Sequence, residues 1–136
     1  MNPVPTILVV EDNEDDIFFI RRTLKAVAPG LAARFVADGR AALQYLRGSD
    51  QFADRQQNPT PSLVLLDLKL PFVHGLDVLA EIRNDPNLQA LRVYILTSSS
   101  EDKDRSRAEQ LGAHGYLVKP PTPAMLDPII RELKSS

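Results

Sequence analysis

Five side chains in this sequence have the types and the order to hold a divalent cation and a phosphate: Glu11, Asp12, Asp67, Thr97 and Lys119. Glu11-Asp12 follows the apolar run TILVV, Asp67 closes SLVLLD, Thr97 closes RVYILT, and Lys119 follows GYLV. Each stands at the carboxyl end of an expected strand, and in an open α/β sheet ligands bind in the crevice outside those ends. Three carboxylates drawn together repel one another, which raises their pKa values unless a cation compensates. Oxygen donors with no His or Cys among them suit Mg²⁺ or Ca²⁺. A partly hydrated divalent ion on carboxylates ordinarily bridges to a phosphate. Thr97 and Lys119 would then contact the phosphoryl oxygens, and Asp67 would be the nucleophile that forms an acyl phosphate. Taken singly, each residue has a plainer explanation. Acids favour helix N-termini, Asp closes strands into turns, Thr is common in strands, and lysine is usually a solvated charge. The chemical reading rests on their convergence.

The elements that must achieve this convergence are legible as alternating apolar runs and amphipathic stretches. Thr6–Val10 is a continuous apolar run, as expected of a parallel strand covered on both faces. A helix follows from about Asn13, with Ile17, Ile20, Leu24 and Val27 spaced 3, 4 and 3 apart, and Pro29-Gly30 ends it. Arg34–Val36 is a weak second strand, and Gly39–Leu46 a short helix carrying Ala42, Leu43 and Leu46. Ser62–Asp67 is the clearest strand. Gly75–Arg83 carries Leu76, Leu79 and Ile82 at helical spacing, and Arg92–Thr97 is a fourth strand. Ser99-x-x-Asp102 has the form of a capping box opening a helix to about Leu111. Only Ala108 and Leu111 are apolar between Ser100 and Leu111, so this helix is expected to be weakly anchored. Gly115–Val118 is the fifth strand, and Leu126, Ile129, Ile130 and Leu133 line a last helix, which Pro128 interrupts. Strands alternating with helices imply βαβ units and a doubly wound parallel sheet. The polar, proline-bounded stretch Gly48–Pro61 is expected to be a mobile surface loop.

Composition narrows the class further. The chain has 136 residues, 43% hydrophobic and 25% charged, the balance of one soluble globular domain with its core at about residues 6–134. No apolar run approaches the roughly eighteen residues a membrane span needs. MNPVPTILVV shows neither a basic leader nor a small-residue cleavage site, and the expected location is cytoplasmic. The absence of cysteine excludes disulfides, thiolate nucleophiles and Cys-ligated zinc. Net charge is −2 and the Lys and Arg residues are scattered, so nucleic acid is not an expected partner. His74 and His114 have no partners at metal-ligand spacing, so surface or loop roles are expected. The run Glu101–Arg107 reads as a solvated helix face.

The order Glu11-Asp12, Asp67, Thr97, Tyr116 and Lys119-Pro120, each at a strand end, resembles the response-regulator receiver domain over nearly the whole chain. That resemblance implies a flavodoxin-like (βα)5 fold and a phosphorelay function. Asp67 would accept a phosphoryl group from a histidine kinase and switch a protein-interaction face, without turnover of an external substrate. It further implies Glu11, Asp12, Asp67 and the main-chain carbonyl of Lys69 as Mg²⁺ ligands, Thr97 as switch hydroxyl and Tyr116 as switch aromatic. Lys119 would be the active-site lysine, with a cis bond before Pro120. VEDNEDD, the long loop before the third strand, DLKLP and TSSSED are similar to the small stand-alone receivers paired with phytochrome-type kinases. The partners so implied are a bacteriophytochrome-type sensor kinase and a downstream phosphotransfer or target protein, with homodimerisation open. Val73-His74-Gly75 stands where the family often has Met-Asp-Gly, which is expected to tune the loop and leave the chemistry alone.

Three rival readings remain. A small phosphatase of the haloacid-dehalogenase type also uses Asp, Thr, Lys and Mg²⁺, but it needs a second acid where this chain has Lys69, and no cap insertion is present. A receiver-shaped interaction module that never takes up phosphate tends to lose the carboxylates that are intact here. A flavodoxin-like flavin carrier shares the fold, yet the sequence has no phosphate-binding Ser/Thr loop after the first strand, and fold does not settle function.

Overall fold

The central apolar runs Thr6–Val10, Leu63–Leu66 and Arg92–Thr97 become strands because helices cover both faces, while the flanking strands Ala32–Val36 and Gly115–Val118 are only partly buried. The computed structural model describes residues 5–135. In chain order the elements are β1 (Thr6–Val10), α1 (Glu14–Val27), β2 (Ala32–Val36), α2 (Gly39–Arg47), β3 (Leu63–Leu66), α3 (Gly75–Asn84), β4 (Arg92–Thr97), α4 (Asp102–Gln110), β5 (Gly115–Val118) and α5 (Pro123–Ser135). The strands form one parallel sheet in the order β2-β1-β3-β4-β5. This is the doubly wound α/β architecture that the alternation predicts.

Successive strand residues point to opposite faces, so one sheet feeds two cores. Leu8, Val10, Val64 and Leu66 pack with Tyr45 and Leu46 of α2, Leu79 and Ile82 of α3, and Ala108 of α4. Ile7, Val9, Leu63 and Leu65 pack on the other side with Ile20 and Leu24 of α1 and Leu126, Ile129, Ile130 and Leu133 of α5. Each such aliphatic side chain contributes about 1.5–3 kcal/mol by leaving water.

The differences from expectation have local causes. β2 begins at Ala32, two residues early, because pairing of Ala32 with Thr6 and Ala33 with Ile7 supplies what alanine's weak strand preference does not. In α2 Tyr45 is buried together with Ala42 and Leu46, while Leu43 is only half-buried. The Tyr45 hydroxyl donates to the Pro59 carbonyl at 2.9 Å, and its ring meets Phe52 and lies under Arg55. Arg55 in turn donates to the carbonyls of Leu46 and Asn58. The long loop is therefore tied down by side chains, with a 3-10 turn at Asp50–Phe52, where a mobile segment is expected from composition. The capping box at Ser99 does not form. The Ser99 hydroxyl donates to Asp104 Oδ2 at 2.6 Å, and α4 starts at Asp102 with no side-chain cap. Pro128 lies inside α5, and the helix runs unbroken across it. No helix among the described residues is long and apolar enough to cross a membrane.

Candidate functional site

The sheet register assembles the site. Val10 pairs with Leu66, so Glu11 and Asp67 emerge side by side, and the Asp67 N–H donates to the Val10 carbonyl at 3.1 Å. Thr97 pairs with Val118, and the Lys119 N–H donates to the Thr97 carbonyl at 2.8 Å. The Lys119-Pro120 bond is cis. Residues far apart in sequence thus meet at one carboxyl edge, where such sheets bind ligands.

Carboxylate oxygens of Glu11, Asp12 and Asp67 lie within 4.8 Å of one another. Glu11 is buried and Asp12 exposed. Glu11 Oε2 accepts the N–H groups of Asp12 and Asn13, each at 3.1 Å, while Oε1 accepts from Lys119 Nζ. Asp67 Oδ1 accepts the Leu68 N–H at 2.7 Å and faces the Lys69 N–H at 3.4 Å. Asp67 Oδ2 accepts from Lys119 Nζ at 2.9 Å. The side chain of Lys69 is exposed. Burial pushes the Glu11 carboxyl above the usual carboxylate range, against the opposing pull of Lys119. Burial alone would lower Lys119, but its bonds to Asp16, Glu11 and Asp67 outweigh that and hold the ammonium charged well above the ordinary lysine value.

Asp16 is the residue that sequence reasoning missed. From the first turn of α1 its Oδ2 accepts from Lys119 Nζ at 2.8 Å. Periodicity gave no signal for it, because Asp12 precedes the N-cap Asn13 and helical spacing does not connect the two. Glu11, Asp16 and Asp67 therefore stand around a single ammonium, with Asp12 beside Glu11 and Asp67, leaving net negative charge at the site. An oxygen-only donor set with that excess fits a divalent cation such as Mg²⁺.

Thr97 is fully buried, and its Oγ1 has no hydrogen-bond partner among the described residues. A buried hydroxyl left unpaired costs about 1–3 kcal/mol. Tyr116 is half-buried on β5; its hydroxyl donates to the Ser99 carbonyl at 2.8 Å and its ring lies under Arg105 at 4.7 Å. Between α4 and β5 a surface pocket of about 310 Å³ runs along Tyr116, Arg105 and Ala108. His74 and His114 lie elsewhere. His74 Nδ1 caps α3 by accepting the Leu76 N–H at 3.1 Å, and His114 sits beside Arg83.

Residues 7–131 match the family model described as the response regulator receiver domain. The chain belongs to the response-regulator receiver family. Among curated relatives, the receiver is 35% identical over 118 residues to response regulator Rcp1 of Synechocystis, covering 87% of this chain and 78% of that one. The solved Mn²⁺-bound form of Rcp1 superposes with a TM-score of 0.78 at 31% identity, over 96% of this chain and 92% of that one. The phosphorylated cyanobacterial phytochrome response regulator RcpA gives a TM-score of 0.82 at 32% identity, over 98% and 93%. The receiver is thus similar throughout its described core to phytochrome response regulators.

Proposed function

We propose that this receiver takes a phosphoryl group onto Asp67 from a sensor histidine kinase of the bacteriophytochrome type and signals through the face of α4, β5 and α5. The observation that carries this is the setting of the Asp67 carboxylate. One oxygen is fixed by the Leu68 N–H and the other is met by Lys119, beside Glu11 and Asp12. An oxygen of Asp67 forms a bond to phosphorus as the P–N bond of the donor breaks, and the electron pair leaves with the imidazole. Lys119 exchanges its bond to Asp67 for one to a phosphoryl oxygen. Glu11, Asp12, Asp67 and the main-chain carbonyl of Lys69 would hold Mg²⁺, which when bound neutralises charge on the transferring group. The Mn²⁺-bound Rcp1 and the phosphorylated RcpA support this reading by similarity. The buried Thr97 hydroxyl then donates to the new phosphoryl oxygens, which biases Tyr116 between two placements. The downstream partner is a phosphotransfer protein or a target that reads this face, and no external substrate is turned over.

Mass spectrometry after incubation with acetyl phosphate tests the acceptor. The full chain gains one phosphoryl group only with Mg²⁺ present, and Asp67→Asn gains none. Label on a histidine or serine would overturn the assignment. Transfer kinetics test the donor: equal rates from unrelated kinases would remove the phytochrome-type partner.

A further inference from the structure

Lys119 has three N–H donors, and three carboxylates take them: Glu11, Asp67 and Asp16. Two of those acceptors have other work. Glu11 and Asp67 belong to the carboxylate cluster, and Glu11 also accepts backbone N–H groups of Asp12 and Asn13. Asp16 lies outside that cluster and serves the lysine alone. We infer that Asp16 is a positioning residue for phosphoryl transfer, holding the Lys119 ammonium aimed at Asp67.

An ordinary explanation for Asp16 is that acids suit the first turn of a helix. Glu14 and Asp15 occupy the same turn, and both stay exposed. Asp16 turns inward onto an ammonium whose side chain is 8% exposed, against 34% for its own. Water replaces a lost partner poorly on so enclosed a lysine, whereas the mouth-side carboxylate is placed to guide it. The need arises during transfer. When Asp67 takes a phosphoryl group, the Lys119–Asp67 bond must be exchanged for one to the phosphoryl oxygens. Glu11 and Asp16 are then the two remaining anchors. With one anchor the ammonium pivots; with two, its third N–H keeps a fixed direction.

This inference rests on Asp67 being the phosphoacceptor, and the test separates the two claims. Asp16→Ala, Asp16→Asn and Asp16→Glu are made in the full chain. The Lys119 ammonium is observed by ¹H–¹⁵N NMR, phosphorylation by acetyl phosphate is timed at saturating Mg²⁺, and Mg²⁺ is titrated. Asp16→Ala is expected to speed solvent exchange of the Lys119 ammonium protons and slow phosphorylation about tenfold or more, the effect of one lost charge-assisted bond. Its Mg²⁺ affinity should change by less than about threefold. Asp16→Glu should recover most of the rate, and Asp16→Asn, which keeps an acceptor without the charge, should fall between. Wild-type ammonium exchange with a wild-type rate in Asp16→Ala would overturn the inference. So would a loss of Mg²⁺ affinity that parallels the rate, because Asp16 would then be a metal ligand. If Asp16→Ala does not fold, Asp16→Asn is judged on the same readouts. The ammonium signal needs no phosphodonor. A wild-type chain that takes up no phosphoryl group therefore defeats the phosphoacceptor reading, while an unchanged ammonium in the variant defeats this one.

Discussion

The α3 helix docks on the backbone of Asp67, the proposed phosphoacceptor, and a single methyl group should reveal how tightly. Gly75 opens α3, and its N–H donates to the Leu68 carbonyl at 2.8 Å. A Cβ at Gly75 would stand 2.2 Å from the Asp67 carbonyl oxygen and 2.6 Å from Leu68 Cα, where ordinary contact needs at least 3.4 Å. Both neighbours are backbone and cannot turn away, so Gly75→Ala must displace either α3 or the Asp67–Leu68 backbone. Overpacking costs typically about 1–3 kcal/mol, and a clash with main chain belongs at the upper end. The entropy saved by replacing glycine returns about 0.4–1 kcal/mol at most. A net loss of about 2 kcal/mol lowers Tm by roughly 6–10 °C in a domain of this size. Gly30→Ala is the control, since a Cβ there meets nothing within 4 Å. It should stay within about 0.5 kcal/mol of wild type. Thermal unfolding by circular dichroism gives the stability, and acetyl phosphate labelling gives the effect on Asp67, which should be slowed in Gly75→Ala and untouched in Gly30→Ala. If the two variants melt together and label equally, α3 does not constrain Asp67 and the reasoning is wrong.

Other expectations follow from single observations. Thr97→Val replaces a buried, unpartnered hydroxyl with a methyl group, so stability should hold or rise by about 1 kcal/mol. The same variant should confine beryllofluoride-induced NMR shifts to the carboxylate pocket; shifts reaching Tyr116 as in wild type would refute the switch. Asp12→Ala should weaken Mg²⁺ binding by a large factor in calorimetric titration, and unchanged binding would place the ion elsewhere. Burial, Arg83 and Arg92 hold His114 below the ordinary histidine value, against Glu132, and its Nδ1 accepts the Val93 N–H at 3.3 Å. The folded chain therefore binds this proton less readily than the unfolded one. The associated stability is complete above about pH 6.5 and declines as pH falls toward the lower folded value. A ring midpoint at or above the ordinary value by NMR would contradict this.

What the sequence made legible was whatever rests on local periodicity or on position at a strand end. Glu11, Asp12, Asp67, Thr97 and Lys119 could be named because each closes an apolar run, and the parallel register then makes adjacency nearly obligatory. Asp16 escaped because its role exists only across space: nothing in EDNEDD distinguishes the inward acid from its exposed neighbours Glu14 and Asp15. Ser99 misled for a related reason. Its hydroxyl suits a helix cap, yet Asp104 is a charged acceptor within reach and captures it at 2.6 Å. The loop after α2 looked mobile because composition counts polar residues, whereas its order comes from Tyr45 and Arg55 reaching main-chain carbonyls. Such side-chain staples leave no periodic trace.

The sheet that separates α1 and α5 from the other helices also divides the consequences of sequence change. Leu8 and Ile7 are neighbours in the chain yet face different sets of partners, so a cavity opened on one side cannot be refilled from the other. Substitutions such as Ile82→Ala and Ile130→Ala, which share no packing partner, should combine additively, while pairs within one face should not. Epistasis in this protein is accordingly expected in two nearly separate blocks. One contains α2, α3 and α4, and the other contains α5 with α1, which carries Asp16 to the lysine, so the proposed output face of α4, β5 and α5 draws on both. Each can drift in sequence under its own constraint, and the strands, answering to both, should be the slowest to change.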